Sequence, residues 1–294
     1  MSHYVDTGKS LVVFGLKHGS SNITQVFKDL NDIDDHAARE KFIQINAETL
    51  GGDKYFTLHR ELFNDKIKNN KNLPIFIFIR DPSTAAFSAW IEDLDHWLIK
   101  NPFKALIEIP EVLEALKTLK LQYVPIEGIN FPFNLKAHHS YLDNKKLSNL
   151  VLALDKKVNP FFYGHLLSHH LINVVRLLKR MTYGEYKINT NHIFILDLDD
   201  YDPKANELLV EYNIFAKDVI KNPFLDVKNH STKDIAKRLK PLYEKLSKEN
   251  FDTNYRLAGE GMCYDHIKEH YKQYFYTPQR FKNFIRELNT NKII

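Results

Sequence analysis

A single cysteine, Cys263, leaves the chain no partner for an internal disulfide. Its stability therefore rests on a packed core, and its thiol usage fits a reducing compartment. No apolar run approaches the roughly 18 residues of a membrane-spanning helix. The opening residues, MSHYVDTGKS, lack the apolar stretch of a secretory signal. Internal repeats, low-complexity tracts and linkers rich in Pro, Gly or Ser are also missing. So is a strong excess of one charge: 41 basic side chains against 37 acidic ones leave +4. That slight basic balance suits an anionic ligand and does not point to nucleic acid. The expectation is one cytoplasmic domain over residues 1–294, with no membrane span.

What the sequence does have is continuous apolar runs. LVVFGL (Leu11–Leu16), IFIFI (Ile75–Ile79) and IFILDL (Ile193–Leu198) are the clearest, with YFTL (Tyr55–Leu58) a shorter candidate. Runs that are apolar at every position predict strands buried on both faces, as in a parallel sheet. Between them, helical spacing predicts helices over Ser21–Leu30, Pro82–Ile99 and Phe162–Leu178, the last with Leu171, Val174 and Leu178 on one face. Strands alternating with helices predict an α/β fold around a mostly parallel sheet. Pro125, Pro132 and Pro160 break the pattern over about 103–161, which predicts an irregular helical and loop insertion covering the sheet. Ser231–Ser247 and most of Tyr264–Leu288 predict a helical C-terminal region around 231–294.

Ligands of such folds bind beyond the carboxyl ends of the strands, so the strand-to-helix junctions are the places to look. The first reads Lys17-His18-Gly19-Ser20-Ser21. Glycine lets the backbone turn and approach a ligand closely. The N–H groups that follow open a helix and favour phosphate or sulfate, and Lys17 adds a full positive charge. A plain strand-to-helix turn with a solvated lysine and a serine cap accounts for the same residues. A Walker A loop does not, because it needs lysine directly after its last glycine. The only GKS, Gly8-Lys9-Ser10, precedes the strand.

The second junction is Arg80-Asp81-Pro82 followed by STAAFSAW. Asp81 is a good N-cap and Pro82 a good first helical residue. Arg80 offers paired planar donors suited to a phosphate, and Ser88 offers a hydroxyl about two turns into the helix. The small residues would let that helix lie close to a ligand. A structural ion pair at Arg80, with the alanines packed on a neighbouring helix, is the competing account.

Together and in this order, the two junctions resemble the sulfotransferases that use 3′-phosphoadenosine-5′-phosphosulfate (PAPS). Lys17-His18-Gly19-Ser20-Ser21 fits that family's first loop, and Arg80-Asp81-Pro82 with Ser88 eight residues after the arginine fits its second motif. A looser likeness runs on through Gly164 and the late strand to Asp199-Asp200-Tyr201. The resemblance implies a P-loop-like three-layer α/β/α fold, and transfer of a sulfuryl group from PAPS to a hydroxyl of a glycan or small molecule, leaving 3′,5′-ADP and needing no metal. It implies that Lys17 and the Gly19–Ser21 amides hold the 5′-phosphosulfate, that His18 belongs to the same loop, and that Arg80 and Ser88 grip the 3′-phosphate. The place where many members stack adenine on tryptophan falls on Asn22. The family's late Arg-Lys-Gly loop is missing, so adenine and lid contacts differ. For the base that takes the acceptor proton, the resemblance implies His59, with Glu61 beside it and Glu48 further off.

His165 and His169 have the i,i+4 spacing of a metal pair, but no acidic residue lies between them and no cysteine is near; no metal is expected. Trp90 and Trp97 read as one buried stripe, and Trp97 with Phe131 and Phe133 as candidate lining of an acceptor pocket. Two other functions fit less of the sequence: a P-loop nucleotide or small-molecule kinase, and a non-catalytic relative that binds 3′,5′-ADP.

Overall fold

Three of the continuous apolar runs form adjacent strands of one sheet in the computed structural model, which describes residues 2–7, 9–15, 17–31, 73–123, 131–158, 169–183, 192–200, 206–215 and 230–291. In chain order the strands are β1 (Ser2–Asp6), β2 (Leu11–Gly15), β3 (Ile75–Ile79) and β4 (Ile193–Asp197), and they lie side by side in that same order. β2, β3 and β4 are parallel, with Leu11 opposite Ile75 and Ile75 opposite Ile193. β1 is antiparallel to β2, with Tyr4 opposite Val13. Every residue of β2, β3 and β4 is buried, as their unbroken apolar runs require. β1 was not anticipated. An edge strand needs only a short apolar signal, and it sits in what reads as a polar N-terminus. The candidate strand Tyr55–Leu58 lies outside the described residues.

The chain divides into two compact units. The first, residues 1–82, 168–223 and 259–294, holds the sheet. Alternate strand residues point to opposite faces. Leu11, Val13, Ile75, Ile77, Ile193 and Ile195 share a core with α7 (His170–Tyr183) and with Tyr264, Ile267 and Tyr271. Phe76 and Phe194 meet Phe281 of α11 (Pro278–Asn291) edge-on, with ring centroids 5.4 and 5.2 Å apart. Each such side chain contributes about 1.5–3 kcal/mol by full burial. α1 (Ser20–Asn31) follows β2 directly, and α8 (Asn206–Glu211) follows β4.

The second unit, residues 83–167 and 224–258, is helical among its described residues. It contains nearly all of α2 (Pro82–Lys100), then α3 (Pro102–Glu108), α4 (Pro110–Thr118), α5 (Leu135–His138), α6 (Asn144–Val158) and α9 (His230–Glu249). The long α10 (Phe251–His270) runs from this unit into the first. The segment expected as a helical insertion, around 103–161, thus falls within a unit that has its own core, built on Trp90, Leu94, Val112, Leu150 and Leu239. The Trp90 indole donates to Asp155 at 2.7 Å, and the Arg238 guanidinium clamps the His139 and Leu142 carbonyls, each at 2.5 Å.

Phe131 and Phe133 are buried in this core and Trp97 packs against it. Ala86 and Ala89 also belong to it. These two alanines of α2 serve helix packing. Among the described residues no helix is long and apolar enough to cross a membrane.

Candidate functional site

The carboxyl ends of β2, β3 and β4 bring together Lys17 to Ser20, Arg80 to Asp81, and Asp197 to Asp200. The junction after β2 is built on two left-handed residues, Lys17 at φ +64° and Gly19 at φ +97°. For lysine that conformation costs roughly 1–2 kcal/mol, so the loop is held by its surroundings rather than by local preference. The backbone ties are short: His18 N–H donates to the Gly15 carbonyl at 2.9 Å, and Gly15 and Gly19 form a β-bridge.

Gly19 has no substitute here, since a Cβ would sit 2.0 Å from Cδ2 of Phe78. Ile23 N–H then closes the first turn of α1 on the Gly19 carbonyl at 3.1 Å. The opening N–H groups of a helix have no partner within it and carry partial positive charge. With no acidic residue in the first turn of α1 and Lys17 at its head, this junction is chemically suited to an anion.

Beneath the loop lies a pair of histidines. His18 and His170 are 3% and 0% exposed, and their ring centroids are 4.6 Å apart. His170 is the first residue of α7, and its Nε2 donates to the Phe78 carbonyl at 2.7 Å. Its ring lies directly on the end of β2: a Cβ on Gly15 would meet it at 2.6 Å. Burial, then the neighbouring His170 and Arg80 and the N-terminal amine, hold His18 well below the ordinary histidine range. His18 is thus neutral and turned into the fold. Its Nδ1 has no hydrogen-bond partner among the described residues.

Asn22 is also turned inward. It is 1% exposed, and its amide donates to the Ile214 carbonyl at 2.7 Å. Ser20, the first residue of α1, is half-buried, and Ser21 follows it in the first turn.

At the second junction Arg80 Nε donates to Asp199 Oδ1 at 3.0 Å, and the Asp81 N–H donates to Oδ2 of the same carboxylate at 3.0 Å. Asp199 therefore bridges the ends of β3 and β4. Asp197, buried at the end of β4, accepts from the Tyr264 hydroxyl at 2.5 Å and lies 3.4 Å from Lys268 Nζ, which also reaches Asp200 at 3.1 Å. Burial, and then this bond to a carboxylate, push the Tyr264 hydroxyl far above its ordinary range.

Ser88 lies half-buried on α2, in the second unit. His59, Glu61 and Glu48 lie outside the described residues. So does His165, and among the described residues no group of three or more His, Cys, Asp or Glu converges as a metal site. His169 sits instead beside Glu260, with Nδ1 4.0 Å from Oε1. Sequence reasoning gave His170, one of 14 histidines, no place at this junction. It found the acidic end of β4 but not its pairing with Arg80, 119 residues away. The chain matches no protein-family model, no curated protein and no solved structure.

Proposed function

We propose that the chain is a sulfotransferase that moves a sulfuryl group from PAPS to a hydroxyl of a glycan or small molecule, on a P-loop-like three-layer α/β/α scaffold in the cytoplasm. The observation that carries this reading is the junction after β2, where Lys17 and the left-handed Gly19 lead straight into an α1 with no acidic residue in its first turn, beside a parallel strand that delivers Arg80. A glycine turn that leads into a helix start suits an anionic group. At the second junction, Asp199 holds Arg80 Nε, and on this reading a phosphate binds the terminal nitrogens of the guanidinium.

The donor supplies an activated sulfuryl group that transfers by in-line displacement, so the protein's share is positioning and charge stabilisation. Lys17 and the Gly19–Ser21 amides bind the 5′ end, and Lys17 offsets the charge that grows on the departing oxygen. Arg80 binds the 3′-phosphate that separates this donor from ATP. His59 takes the acceptor proton, with Glu61 the alternative.

One observation favours a second reading. Asp197, Asp199 and Asp200 stand at the end of β4, and carboxylates beside a phosphate-receiving loop suit Mg²⁺-dependent phosphoryl transfer by a kinase. Thermal shift separates the two. The first reading expects 3′,5′-ADP to stabilise the protein without magnesium, with the effect lost in Arg80→Ala. If ATP with Mg²⁺ stabilises it more than 3′,5′-ADP does, the sulfotransferase reading fails.

A further inference from the structure

The junction after β2 is held in a conformation that its own sequence disfavours, and what holds it is a pair of buried bases. Lys17 and Gly19 are both left-handed. Two side chains form the seat beneath them. The ring of Phe78 fills the space that a Cβ on Gly19 would occupy, and the ring of His170 does the same at Gly15. The two are joined, because His170 Nε2 donates to the Phe78 carbonyl at 2.7 Å. His18, the residue between the two left-handed ones, lays its ring 4.6 Å from that of His170. His170 therefore links the loop after β2 to the end of β3, two residues before Arg80.

We propose that His170 is a positioning residue: its imidazole, tied to the Phe78 carbonyl, locks the Lys17–Ser21 loop in its anion-receiving form, and protonation of His18 in mild acid unlocks it. The proposal rests on the anion-receiving reading of that loop given above.

The physical reason is the buried setting of His18. His18 Nδ1 has no acceptor among the described residues. A charge there would stand beside the second imidazole and near Arg80 and the N-terminal amine, with burial as the largest opposing effect. A buried base of this kind takes its proton only by leaving, and the left-handed loop then loses its seat. Linkage fixes the direction. A histidine whose closed-state pKa lies below the ordinary value of 6.5 favours the closed loop above that pH, and the preference is lost as pH falls below it.

The other charged neighbours act differently. Arg80 is paired with Asp199 at 3.0 Å. Glu260 of α10 accepts the Leu171 N–H at 2.9 Å at the start of α7, and burial raises its pKa. Its contribution therefore runs the opposite way, being lost as pH rises.

The test is hydrogen–deuterium exchange of the full chain from pH 7.5 to 5.5, followed over residues 17–24 and corrected for intrinsic chemical rates. It runs beside calorimetric titration with 3′,5′-ADP and with inorganic sulfate. In the wild type, loop protection is expected to fall about fivefold between pH 6.5 and 5.5, the linkage of one proton to an open-state imidazole of ordinary pKa. The double variant His18→Gln/His170→Gln is expected to be flat, and Glu260→Gln to keep the fall. Protection that does not change with pH in the wild type overturns the proposal, as does a fall that Glu260→Gln abolishes. If the double variant does not fold, the wild type and Glu260→Gln decide. If the loop responds to pH but 3′,5′-ADP binds at no pH, the sulfotransferase reading fails and this inference stands. If 3′,5′-ADP binds and the loop is flat, the reverse holds.

Discussion

Replacing Gly19 by alanine tests the architecture of the junction most directly. Two costs follow from its geometry. At φ +97° the residue lies beyond the small left-handed region open to L-amino acids, so alanine incurs about 1–2 kcal/mol or has to move the loop. Its Cβ would also sit 2.0 Å from Phe78 Cδ2, and Phe78 has nowhere to go. It is fully buried on β3, with its ring 5.7 Å from that of Phe215. Overpacking of this kind costs about 1–3 kcal/mol, giving a total of roughly 2–5 kcal/mol, a large part of an ordinary domain's stability.

The assay has to report the right unit. Both tryptophans, Trp90 and Trp97, lie in the second unit, so their fluorescence follows that unit's unfolding. Hydrogen exchange of β2 and β3 follows the first. Gly19→Ala is expected to lower β2 and β3 protection at least about thirtyfold, the equivalent of 2 kcal/mol at tenfold per 1.4 kcal/mol. Gly261→Ala is the control. That glycine lies inside α10 with nothing within 4 Å of a Cβ, so alanine there is expected to stabilise by about 0.5–1 kcal/mol. A loss below about 1 kcal/mol in Gly19→Ala would refute the view that Phe78 seats the loop.

Three further outcomes are expected. Tyr264→Phe keeps the ring but removes the bond to the Asp197 carboxylate, and chemical denaturation should show a loss of about 1.5–3 kcal/mol, as for hydrogen bonds to charged groups. Asp95 is raised by burial from 3.8 to about 6, so its contribution is present below pH 3.8 and lost as pH rises through about 6; the shift of 6 − 3.8 = 2.2 corresponds to ~3 kcal/mol. Asp95→Asn should remove that part of the pH dependence followed by tryptophan fluorescence, and an unchanged profile would rule the assignment out. Asp199→Asn removes the carboxylate that competes for Arg80. On the sulfotransferase reading 3′,5′-ADP then binds about fivefold more tightly, the effect of a partly screened charge worth ~1 kcal/mol, whereas weaker binding would count against a phosphate at Arg80.

The site's parts were legible to different degrees. IFIFI and LVVFGL had to be buried on both faces, so the parallel strands and the junctions after them followed from local pattern. Ser20 and Pro82 begin helices where serine and proline favour a start. His18 and Asn22 were grouped with the ligand-facing loop because they stand within it, yet both side chains turn inward, to His170 and to Ile214. The direction of a side chain in a short turn depends on what lies under it, and sequence spacing does not carry that. Ala86 and Ala89 show the same limit from the other side. Small residues permit a close approach, but only the assembled core shows that the approach is to other helices.

By itself the sequence determined that the chain has no disulfide, that three strands are buried on both faces, and that a lysine–glycine–serine turn and an arginine stand where such strands end. Composition and periodicity are local quantities, and each of these statements is local. The tertiary structure decided that Asp199 meets Arg80, that Phe78 excludes any side chain at Gly19, that His170 lies beneath the first loop, and that residues 83–167 and 224–258 build a helical core of their own. Each of these joins residues far apart in the chain, and such pairings are fixed by packing and charge once the chain has folded.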